Sequence, residues 1–199
     1  IAGAAAALLG RLSSFMIVRV QHLALIMITM GVGFLLPVAA PRAAIVTGGD
    51  DGLQGVNIWP LFGRFSFDLY GRTAYIYAVV VLFLVFLAVR RLIHSPFGLS
   101  LRGIRENLRR MPAIGAPVQH RLQTAYTIAA AIAGVAGALL AQTTQFVSLE
   151  VLSFERSADV LIMLVLGGTG RLYGGLVGAA VFMIARDQLA DMNPFYWYF

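Results

Sequence analysis

Chemistry needs reactive side chains within reach of one another, and this sequence offers few. Its three histidines, His22, His94 and His120, are scattered and share no metal-ligand spacing. Cysteine is absent, which excludes disulfides, thiolate nucleophiles and thiolate metal sites. All fifteen basic residues are arginine. Without lysine, neither a phosphate-binding P-loop nor a lysine Schiff base can form. Asp159, at the start of an apolar run, and Asp187, after one, read as interface or helix-end charges rather than a proton relay. The expectation is a chain with no catalytic group, no metal and no cofactor of its own.

Glycine carries the sharper signals. In Thr47-Gly48-Gly49-Asp50-Asp51-Gly52 the adjacent glycines permit positive φ and the aspartates favour turns. Either a plain loop turn or a backbone nest lining a path fits. Gly167-Gly168-Thr169-Gly170-Arg171 is stronger. One unbroken helix over 160–185 would hold Arg171 near the bilayer centre, at about 2.5–3.5 kcal/mol. Three glycines in four residues make a break cheaper. Irregular backbone at membrane depth survives only against protein or a water-filled cavity, so a broken or re-entrant segment beside a path is expected. It is no dinucleotide fingerprint, because Tyr173 stands where the third glycine belongs. Gly170, Gly174 and Gly178 are spaced by four, as are Ala130, Gly134 and Ala138. Such ridges let helix backbones approach closely in lipid.

Residues 90–121 hold seven arginines and one glutamate. Ser95-Pro96 and Ser100 are candidate helix starts. From Leu101 to Met111 only Gly103 opposes helix, and Pro112 stops it. Leu101, Ile104, Leu108 and Met111 then share one face, while Arg102, Glu106 and Arg110 fall at i,i+4 on another. The expected product is a short basic amphipathic helix. It either lies on anionic lipid or docks in a partner's groove; the internal Pro, Gly and paired charges favour docking.

These features need elements to carry them, and composition says which. The 199 residues are 59% hydrophobic and 12% charged, with mean hydropathy +0.82. Soluble domains carry about 25% charged residues, so the chain reads as an integral membrane protein. Uncharged runs at 23–40, 73–89 and 122–149, and the run 160–185 interrupted only by Arg171, approach or exceed the ~20 residues a spanning helix needs. Pro37 is expected to bend or end its span. The first ten residues resemble the end of a further span, and Ile1 in place of Met suggests a piece of something longer. Phe195-Tyr196-Trp197-Tyr198-Phe199 reads as an interfacial belt opening another span. The fold class is all-α: a polytopic transmembrane bundle with a broken or re-entrant helix, one domain over 1–199, fragmentary. Loop charges alternate: net +6 over 90–121, zero over 41–72 and −2 over 141–159. The positive-inside rule then puts 11–22 and 90–121 in the cytoplasm and the other two loops outside.

Four stretches together resemble one family. SPFGLSLRGIRENLRRMPAIG is similar to the cytoplasmic loop of LivM-type permeases, the inner-membrane subunits of bacterial branched-chain amino acid ABC importers. TGGDDGL resembles their outer loop, AAIAGVAGALLA a small-residue span, and SADVLIMLVLGGTGRLYGGLVGAA their late glycine motif. They run in family order over about 45–185. The resemblance implies a second, LivH-like permease subunit, two cytoplasmic ATPase subunits that bind the ATP, and a periplasmic substrate-binding protein. It implies an ATPase-coupling loop carrying Arg102, Gly103, Arg105, Glu106, Asn107, Arg109 and Gly115. Thr47, Gly48, Gly49, Gly167, Gly168, Thr169 and Gly170 are the candidate translocation path. Leu108-Arg109-Arg110-Met111-Pro112 departs from a more acidic, Ala-rich family stretch. Relatives carrying urea, amides or other amino acids keep the substrate open. A secondary transporter or channel is the alternative class, with Asp159 its one candidate coupling carboxylate; a membrane-embedded enzyme is disfavoured.

Overall fold

The computed structural model describes residues 1–18, 23–42, 48–49, 52–54 and 72–192. The expectations that rest on Arg19, His22, Thr47, Asp50, Asp51 and the aromatic run 195–199 lie outside them. The elements are α1 (Ala2–Ile17), α2 (Leu23–Arg42), β1 (Leu53–Gln54), α3 (Arg72–Ile93), α4 (Pro96–Glu106), α5 (Arg110–Ala113), α6 (Val118–Thr144), β2 (Phe146–Val147), a 3-10 turn (Leu149–Leu152), α7 (Phe154–Gly167) and α8 (Gly174–Met192). Three of these helices are long and apolar enough to cross a membrane: Leu23–Arg42, Thr73–Ile93 and Val118–Thr144. The protein is an all-α membrane helical bundle. It divides into two compact units, residues 1–148 and 149–199.

In the first unit, α1 and α6 lie antiparallel with their backbones almost touching. A Cβ on Gly10 would meet Ala130, and one on Gly134 would meet Ala6 and stand 3.0 Å from the Ala2 carbonyl. Gly3 in turn faces Val135. Close approach of this kind replaces hydrophobic burial as the driving force in lipid, where exposed leucines lose nothing. Side-chain burial is accordingly sparse: Ile17, Ile104 and Ser14 are among the few buried side chains, and Ser14 Oγ donates to the Arg11 carbonyl at 2.7 Å. The expected ridge on α6 exists, therefore, and its partner is the small-residue stripe of α1. That helix also continues past Arg11, whose guanidinium lies over the Phe15 ring at 5.9 Å.

Pro37 does not end α2. The helix runs through Pro37 and Pro41 to Arg42. Proline removes one N–H and crowds the carbonyl four residues back. In lipid, though, leaving the helix would strand more backbone groups than staying in it.

In the second unit the break is where the glycines put it. Helix stops at Gly167 and resumes at Gly174. The chain does more than break: it folds back. A Cβ on Gly178 would meet the Met163 carbonyl and one on Gly167 the Gly174 carbonyl, so α7 and α8 form an antiparallel hairpin with backbone laid on backbone. Gly168, at φ +86, closes α7. Gly170, expected to belong to the packing ridge with Gly174 and Gly178, does not: it sits in the turn with nothing within 4 Å of its would-be Cβ. Asp187 follows the uncharged run and lies in the last turns of α8, which reaches Met192.

Candidate functional site

The basic loop is a helix–corner–helix. Ser95 caps α4: its Oγ accepts from the Gly98 N–H at 3.5 Å and donates to the Leu92 carbonyl at 2.6 Å, with Pro96 at the first helical position. Gly98 makes the corner between α3 and α4 possible, because a Cβ there would run into the Ile93 backbone. Ile104 is buried, Phe97 lies beneath the Arg121 guanidinium at 5.5 Å, and Met111 covers Gly103, whose Cβ would stand 2.8 Å from its sulfur. The Phe97–Arg121 contact ties α4 to the first turn of α6, and Met111 ties α5 to α4.

The helix expected to run to Met111 ends at Glu106. Asn107 leaves helical geometry at φ −153, ψ 93, and its Oδ1 accepts from the N–H groups of Arg109 and Arg110, both at 3.1 Å. An Asn side chain that captures the next free N–H groups starts a new turn more readily than it extends the old one. Three expectations change with it. Leu108 leaves the apolar face and is exposed, Arg110 moves to α5 and out of i,i+4 register with Glu106, and Pro112 lies within α5 instead of stopping a helix. Gly115, at φ +81, turns the chain towards α6. Arg102, Arg105, Glu106, Asn107, Arg109 and Gly115 are exposed, and Gly103 is half-covered by Met111.

At the far end of α6, about 40 Å away by helix length, β2 pairs antiparallel with β1: Leu53 opposes Val147 and Gln54 opposes Phe146. Gly48, Gly49 and Gly52 all have positive φ (77, 68 and 70). Gly52 is constrained, since its Cβ would meet the Val147 carbonyl. Gly52 was not among the residues assigned to the path. Its role depends on a partner almost a hundred positions away, which no local motif announces. The pairing joins the two loops assigned to one membrane face and leaves the arginine-rich loop at the opposite end of α6.

Gly167, Gly168, Thr169 and Gly170 belong to the second unit, at the tip of the α7–α8 hairpin. Gly168, Thr169, Gly170 and Arg171 are exposed there. Of the glycines around this turn, Gly174 and Gly178 do the packing with Gly167, while Gly168 and Gly170 leave open space. Among the described residues no cluster of three or more His, Cys, Asp or Glu could hold a metal.

One family model matches residues 1–198, and its description is branched-chain amino acid transport system, permease component. The chain belongs to that family. It is 29% identical to the high-affinity branched-chain amino acid transport system permease protein LivM of Escherichia coli K12, over 98% of this chain and 51% of the relative. The Salmonella typhimurium LT2 protein of the same name gives the same figures. A probable LivM of Methanocaldococcus jannaschii is 29% identical over 58% of this chain and 34% of its own. The permease chain thus spans about half the length of the curated relatives it matches. No solved structure matches it.

Proposed function

We propose that the protein is the membrane-spanning permease subunit, or a large part of it, of an ATP-binding cassette importer that carries branched-chain amino acids across the bacterial inner membrane. The family match over 1–198 carries this reading. Both compact units form one permease domain. The chain does no chemistry; two cytoplasmic ATPases bind and hydrolyse ATP, a second LivH-like permease subunit completes the path, and a periplasmic binding protein delivers substrate.

Three features support the assignment of ends. The arginine-rich α4–α5 loop is cytoplasmic by the positive-inside rule. Its capped helix, buried Ile104 and Met111–Gly103 contact make it a shaped body rather than a loose tether. The β1–β2 pair joins the two loops assigned to the periplasm. On this reading Arg102, Arg105 and Arg109 face the ATPase, and Gly48, Gly49 and, in the second unit, Gly167, Gly168, Thr169 and Gly170 are each candidates to line the path.

The test uses the full-length protein with its partner subunits in proteoliposomes. Reversing Arg102, Arg105 and Arg109 to Glu should leave the complex inserted but uncouple leucine uptake from ATP hydrolysis. Unchanged coupling would return the loop to a lipid-bound role. A binding screen on the periplasmic component fixes the substrate: preference for urea or an amide over leucine, isoleucine and valine refutes the branched-chain assignment.

A further inference from the structure

The second unit sorts its charges by height. Glu155, Arg156 and Asp159 lie on the early turns of α7, and Arg186, Asp187 and Asp191 on the late turns of α8. The antiparallel register makes these one level. Met163 faces Gly178 and Gly167 faces Gly174; counted back by one turn and then another, Asp159 falls level with Phe182 and Glu155 with Arg186. From that level to the tip both arms are uncharged, residues 160–167 on α7 and 174–185 on α8. At 1.5 Å per residue these arms are about 12 and 18 Å long, against a hydrocarbon core of about 30 Å. With the charged end at one membrane face, the tip reaches roughly mid-depth and goes no further.

Arg171 stands at that tip, exposed, and among the described residues Glu155, Asp159 and Asp187 lie towards the other end of the hairpin. An arginine at mid-membrane faces the bundle interior or a water-filled cavity and takes a partner there, a backbone carbonyl or an anion. Its planar fork matches a carboxylate in two-point fashion. The turn beside it is open: nothing lies within 4 Å of where a Cβ at Gly168 or Gly170 would stand. We propose that Arg171 grips the carboxylate of the transported amino acid as it passes mid-membrane. This rests on the importer reading above and assigns that substrate's charged group to a residue.

The experiment measures leucine uptake and substrate-stimulated ATPase activity by the complete importer in vesicles, for wild type, Arg171→Gln and Arg171→Lys. Losing a charge-assisted contact should lower uptake by Arg171→Gln about tenfold or more, with Arg171→Lys recovering part of the loss. ATPase stimulation by the loaded binding protein should persist in both, which shows that they assemble. Uptake by Arg171→Gln within twofold of wild type overturns the proposal, and so does equal loss in uptake and ATPase activity by both variants. A second arm compares vesicles of phosphatidylcholine alone with vesicles that also contain phosphatidylglycerol. A defect independent of lipid charge is expected, whereas one confined to anionic vesicles assigns Arg171 to an anionic lipid headgroup and sinks the idea. Wild-type leucine uptake tests the importer reading separately. If the wild type carries another amino acid instead, the variant-to-wild-type ratio is measured with that substrate. If it carries only an uncharged solute, the carboxylate proposal fails with it.

Discussion

Gly175 and Gly178 lie one turn apart on α8 and should respond to the same substitution in opposite ways. A Cβ at Gly178 would stand 2.7 Å from the Gly167 nitrogen and 3.0 Å from its Cα, and would also meet the Met163 carbonyl. Carbon atoms in contact prefer about 3.5–4.0 Å, so Gly178→Ala must push α8 away from α7 by roughly 1 Å or more, the Met163 carbonyl being the tightest contact. Overpacking of this kind costs about 1–3 kcal/mol, which is the loss expected for Gly178→Ala. At Gly175 nothing lies within 4 Å of the would-be Cβ, so Gly175→Ala should be neutral or gain up to about 1 kcal/mol from helix propensity. Titration of the full-length protein with SDS in mixed micelles, followed by circular dichroism, reads both. Equal midpoints for the two variants would refute the hairpin's backbone-on-backbone packing.

Three further outcomes are expected. Asn107→Ala frees the Arg109 and Arg110 N–H groups and should loosen α5 by about 0.5–2 kcal/mol, seen as faster proteolysis between 106 and 110; an unchanged cleavage rate would show that the cap is idle. Leu53→Cys with Val147→Cys, in a chain with no cysteine of its own, should crosslink across the β1–β2 pair, since antiparallel partners sit within disulfide range. Adding Gly52→Ala should abolish that crosslink through left-handed strain and the Val147 carbonyl, and persistence would argue that the loop docks without Gly52. Single cysteines at 100–110 should react with an impermeant reagent only after the inner membrane is opened, and labelling in intact spheroplasts would invert the topology.

The long spans were legible because lipid imposes one requirement, an uncharged run of sufficient length, and sequence displays it directly. The break at Gly167 was legible for a related reason: Arg171 made a continuous helix expensive and three glycines made leaving it cheap. What local reading missed was decided by partners distant along the chain. Gly52 is constrained by Val147, Gly10 by Ala130 and Gly178 by Met163, and a spacing of four names the ridge without naming what lies across it. That is why spacing alone puts Gly170 on the ridge, and why a broken span and a re-entrant hairpin look alike in the sequence. Asn107 is a different case. Its helix-ending role is local, but helical periodicity continues through it, and only the competition of its side chain for the next N–H groups decides the matter.

The close contact between α7 and α8 also bears on how the protein is made. A translocon admits segments to lipid one at a time by apolar length, and α7 offers only eight uncharged residues before its glycine turn. Alone, α7 is too short to partition, and α8 begins with the glycines that need α7 as their partner. The hairpin is therefore expected to enter the bilayer as a preformed pair, after the longer helices before it. A Gly167 or Gly178 variant would then show its damage first as a nascent chain retained by the insertion machinery, before any mature carrier exists to be assayed.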